Sequence, residues 1–136
     1  MRYALILLVF AALGFALWVR FAPSDPARWH VSPPEEPRRF VGGIVEVIPG
    51  DEADFARLAT LVETTQRTEL LAGSPGERRM TFVTRSAFWG FPDYTTIAYA
   101  NGRITIFARL RFGRSDLGVN AARVGGWIEL LQAVDE

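Results

Sequence analysis

The first strong pattern along the chain is an apolar run near its start. Residues 3–19 are uncharged and mostly apolar, and Arg2 and Arg20 flank them. Such a run is just long enough to approach a hydrocarbon core of about 30 Å, and flanking arginines can reach the two interfaces. Arg20 and Pro23 spoil the small-residue cleavage site that a removable signal peptide needs. The pattern therefore predicts an uncleaved anchor over residues 1–22, with a cleaved signal peptide as the alternative.

The segment 23–39 contains five prolines, which remove backbone donors and favour extended conformations. We interpret it as a stiff linker between the anchor and a folded domain at residues 40–136. Trp29 and His30 form its aromatic pair, and His30 is the only histidine in the sequence. A metal site needs several ligands held together, so we expect Trp29 to dock this segment on the domain and His30 to be hydrogen-bonded.

Five stretches rich in β-branched and aromatic residues predict strands. They cover residues 40–48, 67–72, 79–88, 94–100 and 103–112. Gly42-Gly43 suggests a bulge or a close backbone approach in the first strand. Residues 73–76 fit a type II turn, and Asn101-Gly102 is typical of a two-residue hairpin turn.

Two stretches have helical periodicity. The first follows Asp51, with Asp54 placed to complete a capping box. The second follows Asn120, which we expect to be its N-cap, and Gly125-Gly126 are expected to allow close contact with the sheet. The predicted buried stripes are Phe55, Leu58, Ala59 and Val62 in the first helix and Val124, Trp127, Ile128, Leu131 and Val134 in the second.

The predicted order of elements is β-α-β-β-β-β-α, preceded by one N-terminal transmembrane helix. Because alternating β-α-β units are missing, the pattern favours an α+β fold. We expect a mostly antiparallel sheet of about five strands, with two helices packed on one face.

Composition excludes several classes of protein. The 15 basic and 15 acidic residues balance, so no net field favours nucleic acid. The sequence has no cysteine and no lysine, which excludes disulfides, thiolate nucleophiles and lysine Schiff bases. P-loop, dinucleotide and metalloprotease motifs are missing as well. We therefore expect no cofactor, no metal and no nucleic-acid partner.

The candidate site is the region where the last strand leads into the last helix. Strand alternation places Arg109 and Arg111 on the face away from the core, and the hairpin turn sets Tyr94 opposite Arg109. Five arginines could meet here and form a pocket for an anion or carboxylate. Alternatively, nearby acids pair with the arginines and brace the loop. The candidate residues are Arg85, Arg109, Arg111, Arg114, Arg123, Asp93, Tyr94, Ser115, Asp116 and Asn120.

Several of these residues belong to longer motifs. They are Gly90-Phe91-Pro92-Asp93-Tyr94, the run from Ala108 to Asn120, Arg123-Val124 and Trp127, together with Trp29-His30. These motifs resemble the bacterial domain-of-unknown-function family 1499 over roughly residues 29–131. One departure is Ala108-Arg109-Leu110-Arg111, where the family's pattern has serine before each arginine. The resemblance implies an envelope-associated protein without an assigned activity.

Two functional hypotheses from different classes follow. In the first, the chain crosses the inner membrane once and its periplasmic domain is a non-enzymatic binding or structural module for an anionic small molecule or an envelope protein. In the second, it is a hydrolase of an anionic envelope substrate, whose phosphate or carboxylate the arginines hold. Ser115 or Ser86 would then work with Asp93, Asp116 or His30. Ser115 within hydrogen-bond reach of His30 would favour the hydrolase. The arginines that follow residues 3–19 outnumber Arg2, so the positive-inside rule does not favour the periplasmic placement.

Overall fold

The sheet of the domain is antiparallel, and two helices cover one of its faces. The computed structural model describes residues 1–134. Its helices are α1 (Arg2–Phe21), α2 (Pro26–Trp29), α3 (Glu52–Glu63) and α4 (Val119–Gln132). Its strands are β1 (Arg38–Phe40), β2 (Gly43–Pro49), β3 (Thr68–Ser74), β4 (Arg79–Arg85), β5 (Pro92–Ala100) and β6 (Arg103–Leu110), paired in the order β1-β2-β6-β5-β4-β3.

The α+β fold with an antiparallel sheet is confirmed, but the sheet has six strands rather than about five. The additional strand arises at residues 41–42, which turn the chain between β1 and β2 instead of forming a bulge. Gly43 marks the close approach to β6, because an added Cβ would lie 2.1 Å from the carbonyl oxygen of Ala108. A side chain at this position would push the two strands apart.

The hydrophobic core lies between the sheet and the pair α3 and α4. The predicted capping box is present, since the side chains of Asp51 and Asp54 each accept a hydrogen bond from the other's backbone N–H. All four residues of the first predicted stripe are buried. In α4, Val124, Trp127 and Leu131 are buried and Ile128 is partly buried, whereas Val134 lies beyond the end of the helix and is exposed.

Three local predictions at turns and helix ends have different outcomes. Asn101 and Gly102 both adopt positive φ angles, as the two-residue hairpin turn requires. The type II turn at residues 73–76 is wrong, because β3 continues to Ser74 and a short 3-10 helix spans Pro75–Glu77. The close contact expected at Gly125-Gly126 is also wrong, since no side chain or neighbouring element lies within 4 Å of an added Cβ there.

The second face of the sheet is covered by the segment that follows α1. The ring of Trp29 stacks on the ring of Tyr94, with centroids 3.8 Å apart and planes tilted by 10°. His30 Nδ1 lies 2.8 Å from the hydroxyl oxygen of Thr81 on β4. The predicted docking of Trp29 and the hydrogen bond of His30 are therefore confirmed, and the part of the sheet around Tyr94 and Thr81 is covered on both faces.

Candidate functional site

The sheet separates the predicted site residues into two groups. Tyr94 pairs with Arg109 across β5 and β6, as predicted, and both side chains lie on the face covered by Trp29. Asp93 and Arg123 lie on the helix side. The prediction that five arginines meet in one region is wrong, because neighbouring strand residues point to opposite faces and α4 packs on only one of them.

Arg109 is a buried cation held by neutral groups. Its residue is 7% exposed, and its Nη1 donates to Thr96 Oγ1 at 2.9 Å and to the carbonyl of Phe107 at 3.0 Å. Its Nη2 donates to the carbonyl of Trp29 at 2.5 Å. Burial lowers the pKa of Arg109 to about 10. Within residues 1–134 no carboxylate forms an ion pair with it, so Arg109 ties the segment after α1 to the sheet.

Arg111 performs a similar structural role. Its Nη1 donates to the carbonyl of Pro23 at 2.8 Å and to the Tyr94 hydroxyl at 3.1 Å. That hydroxyl also lies 2.7 Å from Ser24 Oγ. Arg111 and Tyr94 therefore hold the chain directly after α1, through neutral acceptors rather than acids.

The second group of candidates forms a polar cluster under α4. Asn120 Nδ2 donates to Asp93 Oδ2 at 3.3 Å, and Arg123 Nη1 donates to Asn120 Oδ1 at 3.0 Å. Arg123 Nη1 also lies 3.6 Å from Asp93 Oδ2. Burial raises the pKa of Asp93, although Arg123 and Asn120 oppose this shift. Asn120 is therefore not the predicted N-cap, because its side chain is used in this buried cluster and Gly118 occupies the cap position.

Asp116 braces the loop before α4, but its partners are backbone amides rather than arginines. Its carboxylate accepts from the N–H groups of Gly118 at 3.0 Å and Asn120 at 3.2 Å. Ser115 Oγ accepts from the N–H of Leu117 at 3.1 Å. No arginine in the described part of the chain forms an ion pair with Asp116. The predicted pairing with an arginine is therefore wrong for Asp116, which braces the loop through backbone amides instead, whereas Asp93 does pair with Arg123.

We expect Asp116→Ala to reduce the free energy of unfolding by about 1 kcal/mol, the usual effect of removing a side-chain helix cap. The loss should be smaller for Asp116→Asn, whose amide oxygen can still accept one of the two hydrogen bonds. Chemical denaturation followed by circular dichroism would measure both variants. Equal stability of Asp116→Ala and wild type would contradict the capping role.

The pH dependence of stability should report the raised pKa of Asp93. The folded state holds a proton on this acid more tightly than the unfolded chain does. The resulting stabilisation is complete below the unfolded pKa of about 3.9 and is lost as the pH rises through the higher folded-state pKa. Asp93→Asn should therefore gain stability relative to wild type as the pH rises through this window. Denaturation curves at a series of pH values measure the difference in stability between Asp93→Asn and wild type. A difference that stays constant, or that falls as the pH rises, would contradict the raised pKa of Asp93.

A cavity of about 680 Å³ adjoins the polar cluster at the end of the sheet where α1 enters. Its lining includes apolar side chains, among them Phe15 of α1. The charged residues of the lining are Arg67, Arg85, Arg123, Asp93 and Asp116. The lining residues are Phe15, Arg67, Arg85, Ser86, Ala87, Phe91, Asp93, Leu110, Phe112, Gly113, Ser115, Asp116, Val119 and Arg123. Arg114 is exposed and is not part of this lining.

Sequence reasoning missed Phe15, Arg67, Phe91 and Phe112 as parts of this cavity. Phe91 and Phe112 lie within the same sequence motifs as Asp93 and Ser115. Their proximity along the chain to these candidate residues was the signal that could have identified them. Phe15 had none, because a phenylalanine within an apolar run is indistinguishable from one that faces lipid.

Of the residues named in the hydrolase hypothesis, Ser86, Ser115 and the acids Asp93 and Asp116 line this cavity, whereas His30 lies apart from them. His30 is bonded to Thr81 on the face covered by Trp29, and its Nε2 lies 3.4 Å from Glu77. Ser115 lines the cavity beside Asp93 and Arg123, on the helix side of the sheet. Within residues 1–134 no three His, Asp or Glu side chains are close enough to share a metal ion. The lining of the cavity therefore combines arginine donors with apolar side chains, and it includes no histidine that could act as a base.

A comparison with protein families tests the resemblance noted in the sequence. A family model described as a protein of unknown function, DUF1499, matches residues 22–131. The chain belongs to the DUF1499 family. A comparison with curated proteins found no match. The DUF1499 match includes the segment that carries Trp29, the cavity wall from β4 to β6, and α4 as far as Leu131.

Proposed function

We propose that this DUF1499 protein is a membrane-anchored binding module of the cell envelope, and that the cavity beside α1 binds an anionic small molecule. The observation that carries the proposal is the composition of that cavity. Arg85 and Arg123 line a space of about 680 Å³ together with apolar side chains such as Phe15 and Phe112. Ligand cavities commonly have this size and combine apolar walls with a few polar groups that orient the ligand.

The arginines of the cavity retain unused donors. Arg85 uses Nη1, which donates to the carbonyl of Gly90 at 3.0 Å and to that of Val19 at 3.4 Å. Arg123 likewise bonds through Nη1. Within the described residues, the other guanidinium nitrogens of both side chains have no acceptor. A guanidinium group presents paired donors that fit carboxylate and phosphate oxygens, so both side chains can still bind an anion.

The charges around the cavity also favour an anion. Three arginines line it, against the two carboxylates Asp93 and Asp116. Asp116 is occupied by backbone amides at the start of α4, and Asp93 is held by Asn120 and Arg123. The net field inside the cavity is therefore positive.

Membrane anchoring through residues 3–19 is supported by α1. It has 20 residues, which span about 30 Å at 1.5 Å per residue, and almost none of its apolar surface is buried by the domain. A signal sequence would meet the same criteria of length and composition. However, Val19 in the last turn of α1 is 1% exposed and packs into the domain. Cleavage after α1 would remove this buried residue, so the packing favours an anchor that is retained.

We further propose a single pass through the inner membrane with the domain in the periplasm. This placement rests on the envelope association that the family resemblance implies, and the arginines after α1 count against it. Fusions of a periplasm-dependent and a cytoplasm-dependent reporter to the C-terminus measure the orientation. We expect activity of the periplasm-dependent reporter alone. Activity of the cytoplasm-dependent reporter alone would reverse the assignment.

Anion binding can be tested with phenyl phosphate, which carries an anion on an apolar ring, and with benzyl alcohol as its uncharged counterpart. We expect phenyl phosphate to raise the melting temperature of the full chain in nanodiscs, because a ligand that binds only the folded state stabilises it. Benzyl alcohol should have a smaller effect. Arg85→Ala and Arg123→Ala should each reduce the phosphate-dependent shift relative to their own melting temperatures. Arg103→Ala, an exposed arginine at the far end of the sheet, should keep the full shift. An identical shift in all three variants would refute the proposed site.

A further inference from the structure

Exposed apolar side chains are concentrated at one end of the sheet. Three of the connections at that end contain these side chains: the β1–β2 turn at residues 41–42, the β4–β5 loop at 86–91, and the β6–α4 loop at 111–118. We call them the loop end. Leu117 is 90% exposed and Phe88 is 79% exposed, and Val41 and Trp89 are exposed as well. The turns at the opposite end, at residues 50–51, 75–78 and 101–102, contain no large exposed apolar side chain.

The loop end is also where α1 meets the domain. The rings of Trp18 and Phe112 lie 5.3 Å apart, edge to face. A Cβ added to Gly90 would lie 3.2 Å from Cγ of Arg20. The β1–β2 turn belongs to the same region, because the N–H of Asp116 donates to the carbonyl of Val41 at 3.2 Å. The β4–β5 and β6–α4 loops therefore contact the end of the proposed anchor, and the β1–β2 turn is bonded to the second of these loops.

The end of α1 is packed against the domain, so that the two cannot move apart without losing buried contacts. Val19 and Ala22 are both buried, and Arg111 holds the carbonyl of Pro23. A helix of this length has its last turn at the membrane interface when it crosses a bilayer. The loops that contact this turn must then lie at the level of the lipid headgroups.

The composition of the loop end suits such an interface. Tryptophan prefers the boundary between headgroups and hydrocarbon, and Trp18 and Trp89 both lie in this region. Arg20, Arg67 and Arg114 are exposed around the apolar side chains and can meet anionic headgroups. Exposure of several large apolar side chains to water is unfavourable, so a group of them at one end of a domain indicates an interaction surface.

We infer that the loop end is a second membrane contact, in which Phe88, Trp89 and Leu117 enter the interface of the bilayer. This inference rests on the proposed anchoring of α1, and it adds that the domain lies against the lipid surface instead of extending away from it. The occupant of the apolar loops is lipid, with exposed arginines facing the headgroup phosphates. Shallow insertion of apolar side chains combined with basic residues is a common mode of interfacial binding.

Single-cysteine variants of the full chain can test this contact, because the sequence has no cysteine. A spin label would be placed at Phe88→Cys or Leu117→Cys in the loop end. Leu8→Cys in α1 and Asn101→Cys at the far end of the sheet provide the membrane and water references. Electron paramagnetic resonance in vesicles of phosphatidylethanolamine and phosphatidylglycerol then compares collisions with oxygen, which concentrates in lipid, and with a water-soluble nickel complex.

We expect the labels at Phe88 and Leu117 to have an oxygen-to-nickel collision ratio between those at Leu8 and Asn101. Ratios equal to that at Asn101, with Leu8 still in lipid, would overturn the inference while leaving the anchor intact. Low collision rates with both reagents would indicate a protein partner and would also overturn it. If the label at Leu8 has the collision ratio of a water-exposed site, the proposed anchoring of α1 is wrong, and the second membrane contact is then wrong as well. The high exposure of Phe88 and Leu117 makes both cysteine variants compatible with folding.

Discussion

Replacement of Trp29 by alanine is expected to destabilise the domain by about 3 kcal/mol, at the lower end of the range for removing a large aromatic side chain. The ring of Trp29 covers Tyr94, which is fully buried in the native protein. The guanidinium carbon of Arg109 lies 5.5 Å from the centre of the same ring. Removing the ring exposes Tyr94 and weakens the attachment of the segment after α1 to the sheet.

Chemical denaturation followed by far-ultraviolet circular dichroism would measure the effect of Trp29→Ala. Trp29→Phe should retain part of the stacking and lose less stability. Trp89→Ala is the matched control, because this tryptophan is exposed in a loop and its removal should change stability by no more than about 0.5 kcal/mol. Trp29→Ala as stable as the Trp89 control would show that the segment does not contribute to the folded domain.

Replacement of Arg109 by alanine is expected to cause a loss of similar size, about 3 kcal/mol, because buried acceptors left without a donor each cost about 1 to 3 kcal/mol. The carbonyls of Trp29 and Phe107 both lose their guanidinium donor. The guanidinium group also lies 4.2 Å from the centre of the Phe107 ring. Burial disfavours the charged form of Arg109 and so lowers its pKa. Any net stabilisation of the domain by Arg109 must therefore come from these hydrogen bonds and ring contacts.

Arg109→Lys should not restore the wild-type stability, because an ammonium group lacks the planar fork that reaches several acceptors at once. Arg103→Ala, an exposed arginine on the same strand, is the control and should change stability by no more than about 0.5 kcal/mol. The double variant of Trp29 and Arg109 should lose less than the sum of the two single losses, because both residues hold the same segment. Additive losses would indicate that the two residues act independently.

The sequence predicted the features that depend on local patterns. The capping box of Asp51 and Asp54 and the turn at Asn101-Gly102 each involve residues within a few positions of one another. The pairing of Tyr94 with Arg109 followed from that turn by counting residues along two strands. These predictions succeeded because short-range geometry fixes the neighbours.

Several features that depend on distant contacts were missed. The alternation of residues along β6 predicts only that Arg109 lies on the face away from the core. It does not show that Trp29, 80 positions earlier in the sequence, covers that face. Asn120 was assigned as a helix cap from its local preference, whereas its contact with Asp93 across the fold decided its position. Tertiary contacts override local propensity in both cases, and a single sequence contains no direct record of them.

The candidate site was predicted only in part for the same reason. The motif around Asp93, Ser115 and Asp116 was found, and these residues do line one cavity. Arg111 was assigned to the same site but instead holds the chain after α1. The sheet places residues that alternate along one strand in different environments, so adjacent motif residues have separate roles.

The most direct test of anion binding in the cavity is nuclear magnetic resonance of nitrogen-labelled arginine side chains in the full chain, titrated with phenyl phosphate. The Nε–H signals of Arg85 and Arg123 should shift and saturate together, because both side chains line the cavity. The signal of Arg109 should remain unchanged, because its guanidinium group is buried beside Trp29. Signals of Arg85 and Arg123 that do not move, or that move no more than that of the exposed Arg103, would contradict the proposed function.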